Sequence, residues 1–144
     1  MSYISIWLHC VWTTINHIPF LTDGIRSEVI AHIFENSKVK GIHLNQLNGY
    51  LDHLHALISL GGTQNIAEIM RNIKGESSFW INKNKLTSWK FEWQDDYYCV
   101  SVDYSHMKNL VRYIQNQESH HAKAKLEEEL EILIEENGLR RFPD

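Results

Sequence analysis

The hydrophobic period of this chain switches between two and 3.6 residues in a set order, and that order leaves few folds open. Residues 3–14 alternate: Ile4, Ile6, Leu8, Cys10 and Trp12 lie on one side, Tyr3, Ser5, Trp7, His9 and Thr13 on the other. That is the pattern of a half-buried strand. After Pro19 and a candidate cap at Thr22, Ile25, Val29, Ile30, Ile33 and Phe34 recur at helical spacing. Gly41 closes this helix, at a position where a left-handed residue costs little. A short strand begins at Ile42, and Asn48-Gly49 marks a hairpin turn, with Asp52 as the alternative place of reversal. The next strand ends at Gly61-Gly62. A second helix starts near Asn65 and turns Ile66, Ile69, Met70, Ile73 and Trp80 inward; Gly75 inside it costs about 1 kcal/mol relative to alanine. Residues 86–96 read as loop, 97–102 (YYCVSV) as strand and 105–121 as helix. The tail, with Leu126, Leu130, Leu133 and Ile134, reads as an acidic amphipathic packing helix.

The order strand, helix, strand, strand, helix, strand predicts an α+β fold of the ferredoxin-like kind. Its antiparallel sheet would carry helices on one face and leave the other open, followed by a helix bearing Tyr113 and the acidic tail. A length of 144 residues suits a single domain, with a core over 1–121 and a tail over 122–144. The N-terminus lacks the basic stretch and continuous apolar run of a secretory signal. No apolar run approaches the roughly eighteen residues that cross a bilayer. A cytoplasmic protein with no membrane partner is expected. Cys10 and Cys99 lack zinc spacing and are too few for a disulfide framework, so reduced thiols are expected.

The net charge of −4, taken alone, argues against a nucleic-acid partner, but the charges are unevenly placed. Seven glutamates face only Lys123 and Lys125 within residues 118–136. Residues 71–90 hold Arg71, Lys74, Lys83, Lys85 and Lys90 against Glu76 alone, with Trp80 and Trp89 interleaved. Such a segment suits a phosphate backbone and stacked bases, and equally a solvated helix face over core tryptophans.

The strand after the hairpin carries the chemistry. Leu54, Ala56, Ile58 and Leu60 form one side; His53, His55, Leu57 and Ser59 form the other. Two imidazoles thus leave the sheet together, on the side expected to be open. Two ligands are too few for a catalytic ion, so a third is required. On the helix over 105–121, Met107, Leu110, Val111 and Ile114 form the predicted buried stripe, with Tyr113 and Gln117 one turn apart on its margin. A tyrosine can become a covalent nucleophile toward a phosphodiester if its proton, with a free pKa of about 10, is made easier to lose. The Gln117 amide oxygen could serve the same ion. His120 or His121, on the same flank, is a rival third ligand.

The blocks DHLH (52–55) and YIQNQESHH (113–121) together resemble the histidine–hydrophobic–histidine and tyrosine-helix motifs of single-tyrosine transposases from small bacterial insertion sequences. KGESSFWIN (74–82) and FEWQDDYYCVSV (91–102) are similar to that family's middle-helix and last-strand blocks. The resemblance implies a metal-dependent transposase with Tyr113 as nucleophile and His53, His55 and Gln117 as ligands. Mg²⁺ is the expected ion and Mn²⁺ a substitute. The implied partner is single-stranded DNA marked by subterminal hairpins, cut and rejoined through a 5′-phosphotyrosine. A homodimer is also implied, in which the tyrosine helix of one subunit can complete the other's site. Arg71, Lys74, Lys83, Lys85 and Trp80 are the candidate DNA contacts. Beside such a substrate the acidic tail is expected to lie away from the strand channel. Two alternatives are a domesticated relative that processes repeated palindromes and a non-catalytic module that binds single strands.

Overall fold

The computed structural model describes residues 1–117, 119 and 126–143. Four strands, β1 (Trp7–Thr13), β2 (His43–Gly49), β3 (His53–Ser59) and β4 (Tyr98–Val102), form one antiparallel sheet in the order β2-β3-β1-β4. With α1 (Asp23–Val39) between β1 and β2, and α2 (Ile66–Lys83) between β3 and β4, this is the expected ferredoxin-like arrangement. β1 is shorter than its alternation predicts. Trp7 faces Ser59 on one side and Val102 on the other, the last residues of β3 and β4; beyond them Ile6 O still accepts from the Leu60 N–H at 2.8 Å, but residues 3–6 form no strand.

α1 ends as its glycine foretold. Gly41 takes φ +72°, its N–H reaches Lys38 O, and the Ile42 N–H reaches Ser37 O at 2.8 Å. Those two bonds make a Schellman closure, with Ile42 buried beneath it. The following hairpin turns at Tyr50–Asp52, the alternative place of reversal, and Gly49 stays in the strand opposite Leu54. A Cβ at Gly49 would sit 2.0 Å from the His53 carbonyl oxygen, so only glycine lets the two strands approach here.

α2 is capped by the Asn65 side chain, which accepts from the Glu68 N–H at 2.9 Å, and it runs through Gly75 unbroken. Ile69, Met70, Ile73 and Ile81 are buried; Trp80 is only partly so, its ring stacked 3.9 Å from that of His32. The segment read as loop contributes to the core: Phe91 and Trp93 are buried. Asn82 holds it, donating to Phe91 O at 2.9 Å and accepting from Phe91 N–H at 2.7 Å, while the Trp93 indole donates to Ser77 Oγ. Those anchors are side chains of α2, so no local period announces them.

The main core joins Leu8, Cys10, Trp12, Leu54, Ala56 and Ile58 of the sheet to α1 and α2. The opposite face is not open. α3 (Met107–Gln115) lies against β2 and β3, and α4 (Leu126–Asn137) sets Leu126 and Leu130 on Val11, with Tyr98 and Leu133 beside them. The acidic tail therefore covers the histidine face instead of lying away from it. α3 is also shorter than the helix read over 105–121. A single 3₁₀ turn occupies Tyr104–His106, and the helix closes at Asn116 (φ −101°, ψ 24°). Of the predicted stripe, Ile114 is buried and Met107, Leu110 and Val111 are half-buried. His120 and His121 lie outside the described residues. Cys10 and Cys99 face each other across β1 and β4 as free thiols. Among the described residues no helix is long and apolar enough to cross a membrane.

Candidate metal centre and tyrosine

The pleat of β3 delivers His53 and His55 to the same face, where both are fully buried. Each has its Nδ1 occupied. His53 Nδ1 lies 2.9 Å from Asp52 Oδ1, and His55 Nδ1 lies 2.9 Å from Nε2 of His9 on β1. Burial first, then the neighbouring His55, lowers the His9 pKa from 6.5 to about 3, with Glu129 opposing, so His9 is neutral. In the tautomer in which neutral His9 accepts at Nε2 from the His55 Nδ1–H, the His55 Nε2 lone pair is left directed away from the strand. The Asp52 carboxylate does the same for His53. Such outer contacts hold a ligating imidazole in one tautomer and orientation.

Gln117 is fully buried over this pair. Its amide nitrogen donates to Tyr113 O at 3.1 Å, which identifies Oε1 as the atom 3.3 Å from His53 Nε2. In the tautomer with the proton on Nδ1 toward Asp52, the His53 Nε2 lone pair and Gln117 Oε1 are spaced as two ligands of one cation would be; with the proton on Nε2 they form a hydrogen bond. Glu129 of α4 enters from the other side, its Oε1 3.3 Å from His55 Nε2. Ligand atoms of His53, His55 and Glu129 lie within 4.8 Å of one another, all buried. Burial raises the Glu129 pKa from 4.5 to about 7; His53 and His9 pull it back, and Asp52 pushes it further up. Two imidazole nitrogens with carboxylate and amide oxygens suit a borderline or hard divalent ion.

Tyr113 stands next to this group within the same chain. Its ring is edge-on to His55 at 5.4 Å between centroids, and to His9 at 6.2 Å. Asn48, the β2 residue facing His55, fastens the tyrosine helix by donating to Ile114 O at 3.0 Å and Gln115 O at 3.1 Å. The basic candidates are elsewhere. Arg71, Lys74, Lys83 and Lys85 belong to α2 and its exit, on the layer behind the sheet; Arg71, Lys83 and Lys85 are exposed, and Lys74 bonds Asp95 O at 2.7 Å. Trp80 packs on His32.

Four residues of the centre have no assignment from the sequence: His9, Asn48, Asp52 and Glu129. His9 shares its β1 face with Thr13, and only strand register brings it to His55. Asn48 reads as a turn residue. Glu129 stands between Leu126 and Leu130 on the margin of the tail's apolar stripe, a signal masked by Glu127 and Glu128 beside it.

The fold and this centre define a ferredoxin-like domain that gathers two strand histidines, helix-borne oxygen donors and a tyrosine at one buried point. The sequence pattern of the IS200-like transposases matches residues 2–117, and the chain belongs to that family. Two solved structures share the fold. One is a Deinococcus radiodurans R1 protein described as a transposase, with TM-score 0.64 and 18% identity over 81% of this chain and 95% of that one. The other is a REP-associated tyrosine transposase bound to a REP hairpin, with TM-score 0.65 and 15% identity over 86% of this chain and 73% of that one. A search of curated proteins finds no significant match.

Proposed function

We propose that this transposase cleaves and rejoins single-stranded DNA at hairpin-marked ends, using Tyr113 as nucleophile beside a divalent ion held by His53, His55 and Gln117. The observation that carries the reading is the meeting of the Tyr113 ring with His55 in one chain, with Gln117 Oε1 3.3 Å from His53 Nε2. A bound ion, Mg²⁺ or Mn²⁺, supplies Lewis acidity at the scissile phosphate. Tyr113 Oη attacks phosphorus and forms a 5′-phosphotyrosine; the bond to the 3′-oxygen breaks, and that oxygen takes up a proton in place of the one the phenol gives up. A second 3′-hydroxyl reverses the step and frees Tyr113, so no nucleotide cofactor is consumed. Asp52 and His9 hold the two imidazoles, and Asn48 holds the helix that carries the nucleophile. A homodimer exchanging tyrosine helices is compatible with the family, although this chain also brings its own Tyr113 to its own histidines.

The test is an adduct assay. Oligonucleotides carrying the palindromes that flank the coding sequence should yield a denaturation-resistant protein–DNA band with Mg²⁺ or Mn²⁺. EDTA and Tyr113→Phe should both abolish it. Failure to form any adduct with those ends would sink the reading. A second reading, processing of repeated genomic palindromes, draws on the fold shared with a transposase bound to a REP hairpin. Inverted ends beside the gene favour transposition; scattered palindromes that are cut equally well favour processing.

A further inference from the structure

We propose that Glu129 is a metal ligand of the DNA-free protein, carried into the centre by the tail helix, and that substrate DNA displaces it. The inference rests on the proposed function and adds to it a ligand from outside the matched family region, which ends at residue 117. Three observations support it. Glu129 Oε1 is 3.3 Å from His55 Nε2, and one ligand atom from each of His53, His55 and Glu129 falls within 4.8 Å of the others. The carboxylate is held there by the helix itself: Leu126 and Leu130 flank it and are buried on Val11 and Tyr98. Finally, His53, His55 and Gln117 are 0%, 1% and 0% exposed, so a polynucleotide cannot reach them in this arrangement, in which α4 lies against His55.

A carboxylate oxygen and a phosphate oxygen are ligands of one kind, hard and anionic, and both compete for the same open side of a His-His-amide centre. Glu127, Glu128 and Glu131 share the helix with Glu129. Their charge would repel a DNA backbone at that position, so the helix and the strand exclude each other. The tail then does two things at once: it completes the coordination of the resting centre and keeps DNA off it until the strand competes successfully.

The test compares full-length wild type, Glu129→Gln, the double variant Leu126→Ser/Leu130→Ser, and His53→Ala as control. Mn²⁺ titration without DNA should show affinity lowered at least about tenfold in Glu129→Gln. At saturating Mn²⁺ the same variant should form the hairpin adduct faster than wild type. The double variant keeps the carboxylate but loosens its helix, and should reproduce both changes; its far-ultraviolet circular dichroism checks that the sheet remains folded. Unchanged Mn²⁺ affinity in Glu129→Gln would reduce Glu129 to a buried partner of His55. Loss of the adduct at saturating Mn²⁺ would mean that Glu129 stays in the centre during the reaction. If no variant forms an adduct, the proposed function falls while the Mn²⁺ titration still decides whether Glu129 is a ligand.

Discussion

A histidine on a strand becomes a useful ligand only when its other nitrogen is spoken for. His53 meets that condition through Asp52, and His55 through His9. Sequence spacing exposes the first member of each arrangement and hides the second, because Asp52 is a turn residue and His9 sits 46 positions from its partner. This gives a prediction at the level of one atom. Asp52→Asn keeps the size of the side chain but removes the carboxylate that fixes the His53 tautomer. Metal affinity should fall about 10–100-fold, with the fold intact. Isothermal titration with Mn²⁺ measures it; an unchanged affinity would show that Asp52 is only a turn residue. Gln117 was readable from Tyr113 by helical spacing, although the helix that suggested it closes at Asn116. The pair survives because the Gln117 side chain bonds back to the Tyr113 carbonyl.

Two glycines show how an element can hide or reveal its constraints. Gly75 faces open space inside α2, with no atom within 4 Å of the point an alanine methyl would occupy, so its cost is purely that of a flexible helix residue. Gly75→Ala should raise stability by about 1 kcal/mol in urea denaturation, with metal binding untouched. Gly49 is the opposite case: a methyl group there meets the His53 carbonyl at 2.0 Å and Leu54 Cδ2 at 2.8 Å. Gly49→Ala should cost about 1–3 kcal/mol and weaken metal binding as well, because the backbone that yields is that of a candidate ligand. If Gly49→Ala lost stability without losing affinity, the hairpin would be less tightly coupled to the centre than the contacts imply. Periodicity found every strand and the helices between them, since burial on one face writes itself into local spacing. It missed what long-range contacts decide: where β1 begins, why Phe91 and Trp93 are core, and that Leu126 and Leu130 have a sheet face to cover. Burying those two leucines is worth about 1.5–3 kcal/mol each, enough to hold α4 down and small enough for a tightly bound strand to reverse.

At the scale of the molecule the sheet separates two layers with different tasks. α1 and α2 pack on one side and supply most of the core; α3 and α4 cover the other and supply Tyr113 and Glu129, with Gln117 just past the end of α3. The basic stretch belongs to the first layer, the candidate centre to the second. Under the proposed function, DNA that engaged both would have to pass around an edge of the sheet. Lys83 and Lys85 are the clearest probes, being exposed at the end of α2 and remote in layer from His53. If they hold phosphates, Lys83→Ala/Lys85→Ala should weaken hairpin binding across sequences and reduce the steepness of its salt dependence by about 1 per contact removed. Mn²⁺ affinity should stay as in wild type, since neither lysine approaches the centre. Fluorescence anisotropy at several salt concentrations reads the hairpin affinity and its salt slope. An unchanged affinity and salt slope would make this stretch a solvated helix end and leave hairpin recognition to another surface.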